Sequence, residues 1–228
     1  MTCESPREGG DLRQSPATTT EVPAFAGTPV QTVVFDVGNV LYRWDRRLPY
    51  VAHFADPAEL DDFLATVIPL DWHAQHDAGR PAADMIAERS AQFPEHAGLI
   101  HDWFARFNES IPGPVPGSLE LVGCLLERGV PLHGITNFGA DTWAGFRPTA
   151  PVFDSFRDIV VSGGEKLAKP DPAIYALAER RFGYRPEAML FIDDSLPNVE
   201  AAKARGWHAH HFVDAAGLEA ELRVFQLI

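Results

Sequence analysis

The sequence predicts an α/β fold, a doubly wound parallel sheet with an inserted helical cap domain. Three observations lead there. Residues 30–47 and 117–228 alternate short β-favouring apolar runs with helical stretches that end in glycine. Residues 48–116 interrupt that alternation with alanines, acids and aromatics at helical spacing, and little there reads as an alternating strand. The β-favouring runs also end in polar groups, which a parallel sheet gathers at one edge.

The first strand is expected at Thr32–Phe35. No charged residue breaks it, as befits a strand buried on both faces. It delivers Asp36 to the carboxyl edge of the sheet, where open α/β folds bind ligands. Gly38 is expected to let the backbone turn tightly, so that amides around Val37 and Gly38 can face an anion. The insertion begins near Leu48, where Ala52, Ala55 and Ala58 favour helix, and includes the segments 59–64 and 99–104. Proline and glycine alternate through Ile111–Gly117, which reads as the linker back to the main domain. A helix follows at Leu119–Arg128, with Ser118 as N-cap and Gly129 as C-cap. Strands are expected at Pro131–Ile135, Asp158–Ser162, Met189–Ile192 and Trp207–Phe212. Helices are expected at Pro172–Phe182 and Asn198–Arg205, closed by Gly183 and Gly206. Residues 1–29, rich in Ser, Thr, Pro, Gly and Glu, read as a disordered tail.

Composition narrows the function. The 228 residues carry a net charge of −13, which argues against nucleic acid or an anionic membrane as a partner. No apolar run approaches the roughly 20 residues of a membrane span, and no basic-then-apolar leader opens the chain. Cys3 and Cys124 are the two cysteines, a usage that fits reduced thiols and a cytoplasmic location. Cys124 sits in an apolar helical segment and reads as core. Oligomeric state is left open.

Four strand ends carry chemistry: Asp36, then Thr136-Asn137, then Lys169 in the loop after the third strand, then Asp193-Asp194. Each has a plain structural reading. Asp36 could cap a turn, Thr136 and Asn137 could hold one, Lys169 could be solvated, and the acid pair could cap a helix. Together they say more. Three carboxylates at one edge repel each other unless a cation joins them, and hard oxygen ligands suit Mg²⁺.

The order Asp36…Thr136-Asn137…Lys169-Pro170…Asp193-Asp194 resembles the haloacid dehalogenase (HAD) superfamily, over residues 30 to 215. The turn Phe35–Leu41, together with Gln75–Gly79 in the cap, is similar to the branch containing α-D-glucose-1-phosphate phosphatase. The resemblance implies a Mg²⁺-dependent phosphatase acting on a small phosphorylated metabolite, such as a sugar phosphate, through an aspartyl-phosphate on Asp36. It implies a metal site of Asp36, the Gly38 carbonyl and Asp194, with Asp193 in or near it, and Asn198 supporting the acids. It also implies phosphoryl binding by Thr136, the Asn137 backbone and Lys169.

One departure matters. Many of these phosphatases carry a second Asp two positions after the nucleophile as acid–base, and this chain has Gly38 there. His76, Asp77 and Asp45 are the candidates to replace it. His73 and His76 lie three apart, so they share a helix face, and both also have the plain reading of packing histidines. Trp72, beside His73, and Trp44 are candidate pocket walls, Trp103 reads as core, and Arg46 with Arg47 as a solvated pair. Two other functions stay open: a metal-independent 2-haloacid dehalogenase, and a non-catalytic protein of the same fold that binds a phosphorylated ligand.

Overall fold

The computed structural model describes residues 29–228. The expected tail, with Cys3, lies outside them except for Pro29. Strand β1 (Thr32–Phe35) is followed by the short β2 (Tyr42–Arg43). Four helices come next, α1 (Pro57–Thr66), α2 (Leu70–Asp77), α3 (Ala82–Gln92) and α4 (Ala97–Ala105), and then β3 (Gly113–Pro114). The chain continues through α5 (Ser118–Glu127), β4 (Leu132–Thr136), α6 (Ala140–Phe146), β5 (Asp158–Val161) and the single turn α7 (Ser162–Glu165). It ends with α8 (Pro172–Phe182), β6 (Met189–Asp193), α9 (Leu196–Ala204), β7 (His208–His211) and α10 (Ala215–Val224). No helix among the described residues is long and apolar enough to cross a membrane.

Five strands form a parallel sheet in the order β5-β4-β1-β6-β7. The order runs outward from β1 in both directions, so the ends of β4 and β6 flank the end of β1. Phe35 pairs with Gly134 on one side and Ile192 on the other. The unbroken apolar text of β1 follows from burial on two faces. Val33 and Phe35 enter one hydrophobic cluster with Leu190 and Ile192, while Val34 enters a second with Met189 and Phe191.

The first cluster runs without a break into the inserted helices, where it takes in Tyr50, Phe63, Met85, Ile100 and Trp103. Burying each such side chain contributes about 1.5–3 kcal/mol. Phe107 forms the seam, its ring 5.3 Å from that of Phe138. β2 and β3 pair antiparallel, Tyr42 opposite Pro114 and Arg43 opposite Gly113, so the outgoing and returning chains of the insertion are tied together. The Val115 N–H donates to the Leu41 carbonyl at 2.9 Å and extends this tie.

Helix starts follow local chemistry. The carboxylates of Asp56, Asp171 and Asp214 accept backbone N–H bonds at the starts of α1, α8 and α10. Ser118 does not cap α5. Gly117 does, at φ +83°, and Ser118 is the first helical residue, buried. A side chain at 117 is excluded by that φ and by Ala215, whose Cβ would lie 2.7 Å from an added Cβ. Helices α6 and α10 have no counterpart in the sequence reading, and α9 begins earlier than expected, at Leu196, with a proline in its first turn. Cys124 is half-buried against the first cluster. Arg46 is no solvated residue: its guanidinium donates to the Ile68 carbonyl at 2.9 Å and so holds the turn after α1. Arg47 pairs with Asp61.

Candidate active site

The sheet edge assembles the site. The Asp36 N–H donates to the Ile192 carbonyl at 2.8 Å, carrying the β1–β6 ladder one residue beyond the strand. The Asp36 side chain therefore emerges beside the end of β6. Its Oδ1 accepts from the Val37 N–H at 2.7 Å and from Lys169 Nζ at 2.8 Å. Lys169 is buried, and its ammonium has two further partners, Asp193 Oδ2 at 2.7 Å and the Ile135 carbonyl at 2.8 Å. Asn137 fixes the loop that carries this lysine. Its amide donates to the Lys169 carbonyl at 2.9 Å, and its oxygen accepts from the Lys169 N–H at 2.8 Å.

Asp36, Asp193 and Asp194 each offer a carboxylate oxygen, and these oxygens lie within 4.8 Å of one another. The three acids differ. Asp193 is fully buried and saturated: Oδ1 accepts from the Ser195 N–H and the Asn198 amide, and Oδ2 from Lys169. Asp194 is half-buried and accepts from the Asn39 side chain. Burial pushes the Asp36 carboxyl well above the usual carboxylate range, Lys169 opposes this, and Asp193 and Asp194 add to it. Asp194 is raised by burial and by Asp193. Burial alone would lower the Lys169 ammonium, but Asp193 and Asp36 overturn that and hold it above its ordinary value. One buried lysine thus faces three acids, a deficit of positive charge that a divalent cation fits.

The turn after Asp36 is made differently from expectation. Gly38 does not take a left-handed φ. Asn39 does, at φ +55°, which Asn tolerates better than most residues. Asn39 Oδ1 also accepts from the Trp44 N–H at 3.0 Å. Sequence reasoning passed over this residue, although Gly-Asn is a turn signal. Val37 and Gly38 line the cavity, together with Thr136 and Asn137.

That cavity, about 220 Å³, lies between the sheet edge and the inserted helices. Asp77, at the end of α2, lines it; His76 and Asp45 do not. His76 points into the seam between α2 and α6, with Nδ1 3.0 Å from the Arg80 carbonyl and Nε2 2.7 Å from Asp141. Gly139 makes room for it, since a Cβ there would lie 2.0 Å from the ring. Asp45 is exposed and accepts from the Arg47 N–H.

Asp77 is held from two sides. The Gly139 N–H donates to it, and His73 Nε2 lies 3.5 Å from its Oδ2. The indole of Trp103 donates to His73 Nδ1 at 3.2 Å. An indole N–H can only donate, so Nδ1 is bare and the ring proton sits on Nε2, facing Asp77. Burial raises the Asp77 carboxyl, with His73 and His76 opposing, and burial lowers the His73 imidazole. Trp44 is a wall of the cavity and Trp103 is core, as expected. Trp72 is not a wall: it is buried against Phe104, with ring centroids 5.6 Å apart.

A family model described as haloacid dehalogenase-like hydrolase matches residues 30–206. The sesquiterpene phosphatase astK of Aspergillus oryzae is 26% identical over 199 residues, 86% of this chain and 96% of that protein. The phosphoglycolate phosphatase of Escherichia coli K12 is 35% identical over 153 residues; the match takes in 60% of this chain and 57% of that protein, just over half its length. A HAD family enzyme from Bacteroides thetaiotaomicron, solved in complex with magnesium and inorganic phosphate, superposes with a TM-score of 0.65 at 21% identity, covering 81% of this chain and 95% of that one. L-2-haloacid dehalogenase from Xanthobacter autotrophicus superposes with a TM-score of 0.56 at 18% identity, covering 87% and 86%. At such identities the two structures speak for the fold alone.

Proposed function

The chain belongs to the haloacid dehalogenase-like hydrolases, and from that premise we propose that it is a magnesium-dependent phosphatase of the cytoplasm, cleaving a small phosphorylated metabolite through an aspartyl-phosphate on Asp36. The observation that carries this reading is the carboxylate cluster, three oxygens within 4.8 Å, facing one buried lysine. Alkyl-halide chemistry at carbon gives such a cluster no purpose. A metal and a phosphoryl group do.

Magnesium would be held by Asp36, Asp194 and the Gly38 carbonyl, and when bound it supplies positive charge to the phosphoryl oxygens and orients them for in-line attack. Asp193, with both oxygens bonded, is better suited to fixing Lys169 and Asn198 than to direct ligation. Lys169, the Thr136 hydroxyl and the amides of Val37, Gly38 and Asn137 bind the phosphoryl oxygens where charge accumulates. Asp36 forms a bond to phosphorus as the bond to the leaving oxygen breaks. That oxygen takes a proton from Asp77, whose raised carboxyl suits an acid. Asp77 then takes a proton from water, the water oxygen attacks phosphorus, and the acyl phosphate breaks to return the Asp36 carboxylate and free phosphate.

Chelation tests the reading against its two rivals. EDTA is expected to abolish turnover of 4-nitrophenyl phosphate, and added Mg²⁺ to restore it. Chelator-resistant release of chloride from 2-chloropropionate would point to the dehalogenase instead. Tight phosphate binding without any turnover would point to the non-catalytic protein.

The role of Asp77 has its own test. In Asp77→Asn, 4-nitrophenyl phosphate needs no proton on its leaving group, so one equivalent of nitrophenolate is released in a burst. The steady rate that follows is expected to be about 10²-fold below that of the parent, because water lacks its base. Unchanged steady turnover would remove Asp77 from the mechanism. The relatives' names cover a sesquiterpene phosphatase and a phosphoglycolate phosphatase, and the branch resemblance adds glucose 1-phosphate. Names therefore do not choose the leaving group.

A further inference from the structure

We propose that the leaving group this site accepts is an apolar alcohol, aromatic or isoprenoid, rather than a sugar or a hydroxy acid. The inference rests on the phosphatase reading above and concerns the ring-bearing part of the cavity wall. Six lining residues make up that part, Tyr42, Trp44, His73, Phe107, Ile111 and Phe138, and Arg43 and Asp77 line the same cavity. Five are rings and the sixth is aliphatic.

The rings are locked to one another. Trp44 and Phe107 both stack on His73, at 5.5 and 5.7 Å with interplanar angles of 26° and 23°. Phe138 meets Phe107 edge-on at 5.3 Å, and Phe146 meets Tyr42 edge-on at 5.2 Å. Such a wall does not reorganise to offer polar groups. Several polar atoms near it are already engaged, although the buried Trp44 indole N–H has no hydrogen-bond partner. His73 uses one nitrogen on Trp103 and the other faces Asp77. Asn39 is bonded to the Trp44 N–H and to Asp194. Arg43 lines the cavity but is exposed, where water screens its charge.

A sugar placed here would leave several hydroxyls facing rings. Each buried hydroxyl without a partner weakens binding by about tenfold or more. A hydroxy acid would bring a carboxylate against these rings, where the exposed Arg43 offers only a screened charge. An aromatic or isoprenoid body instead gains contact area on every wall and has nothing to satisfy. The space is small, about 220 Å³. It suits a phosphoryl group with a compact hydrocarbon body.

The test uses the full chain with Mg²⁺ and compares alkyl esters, so that every leaving group needs its proton. Benzyl phosphate and isopentenyl phosphate are set against glucose 1-phosphate, glucose 6-phosphate and phosphoglycolate. The expected result is a kcat/KM at least about 30-fold higher for the apolar pair, carried mostly by KM. Ile111→Asn, which puts an amide into the wall, is expected to narrow that ratio by about tenfold. Equal or better turnover of the polar esters would overturn this inference and leave the phosphatase standing. No turnover of any ester, 4-nitrophenyl phosphate included, would overturn both.

Discussion

Asp36→Asn is expected to lower kcat/KM by at least about 10⁴-fold, because an amide does not attack phosphorus. The same variant is expected to keep its fold, and without divalent metal to melt higher than the parent. The reason lies in the site's charge. Burial and the neighbouring Asp193 and Asp194 all disfavour the Asp36 carboxylate, and Lys169, with the Val37 N–H, pulls the other way. A neutral amide at this position removes the repulsion, while Lys169 retains Asp193 at 2.7 Å. Each kcal/mol relieved raises the midpoint of a chain this size by about 2–4 °C. Thermal melts in EDTA read it. A lower midpoint would mean that the Asp36–Lys169 pair outweighs the repulsion, which would weaken the case for a cation at this spot.

Lys169→Met has the opposite signature, with activity and stability both falling. The ammonium makes three contacts, to Asp36, Asp193 and the Ile135 carbonyl, at 2.7 to 2.8 Å. Removing it leaves two buried carboxylates facing each other, a loss of about 3–5 kcal/mol by the usual cost of breaking a buried ion pair. Urea melts measure this directly. Turnover is expected to fall by about 10²–10³-fold, because a preorganised cation at the phosphoryl oxygens is gone. Lys169→Arg should restore little of either, since a planar fork does not reproduce three contacts converging on one nitrogen. A stable Lys169→Met variant would show that the acids are protonated or otherwise compensated in the folded chain.

Much of this site was legible in the sequence, for a topological reason. Once alternating strands and helices imply a parallel sheet, the residues that end its strands must meet, and Asp36, Thr136, Asn137, Lys169, Asp193 and Asp194 did. The choice among the acid–base candidates was not legible. Of the three, Asp45 lies before the inserted helices, and His76 and Asp77 are neighbours on α2, where each residue rotates the side chain by about 100°. Which of them faces the cavity depends on how the helix is rolled against the sheet domain. Gly139, distant in sequence, admits the His76 ring and so sets that roll. The same limit applies to the tryptophans. Trp72, beside His73, reads as the better wall until its packing on Phe104 is known, and Trp44 lines the cavity instead. Helix α6 was missed because the Asn137–Gly139 text reads as a turn, with no strong periodicity after it.

The hydrophobic cluster that crosses from the sheet into the inserted helices has a thermodynamic consequence. Two bodies with separate interiors can melt one after the other. Here Phe35 and Trp103 belong to one interior, joined through Phe107 and Phe138. Loosening either part exposes oil that the other part was covering, so heat and denaturant should meet a single cooperative unit.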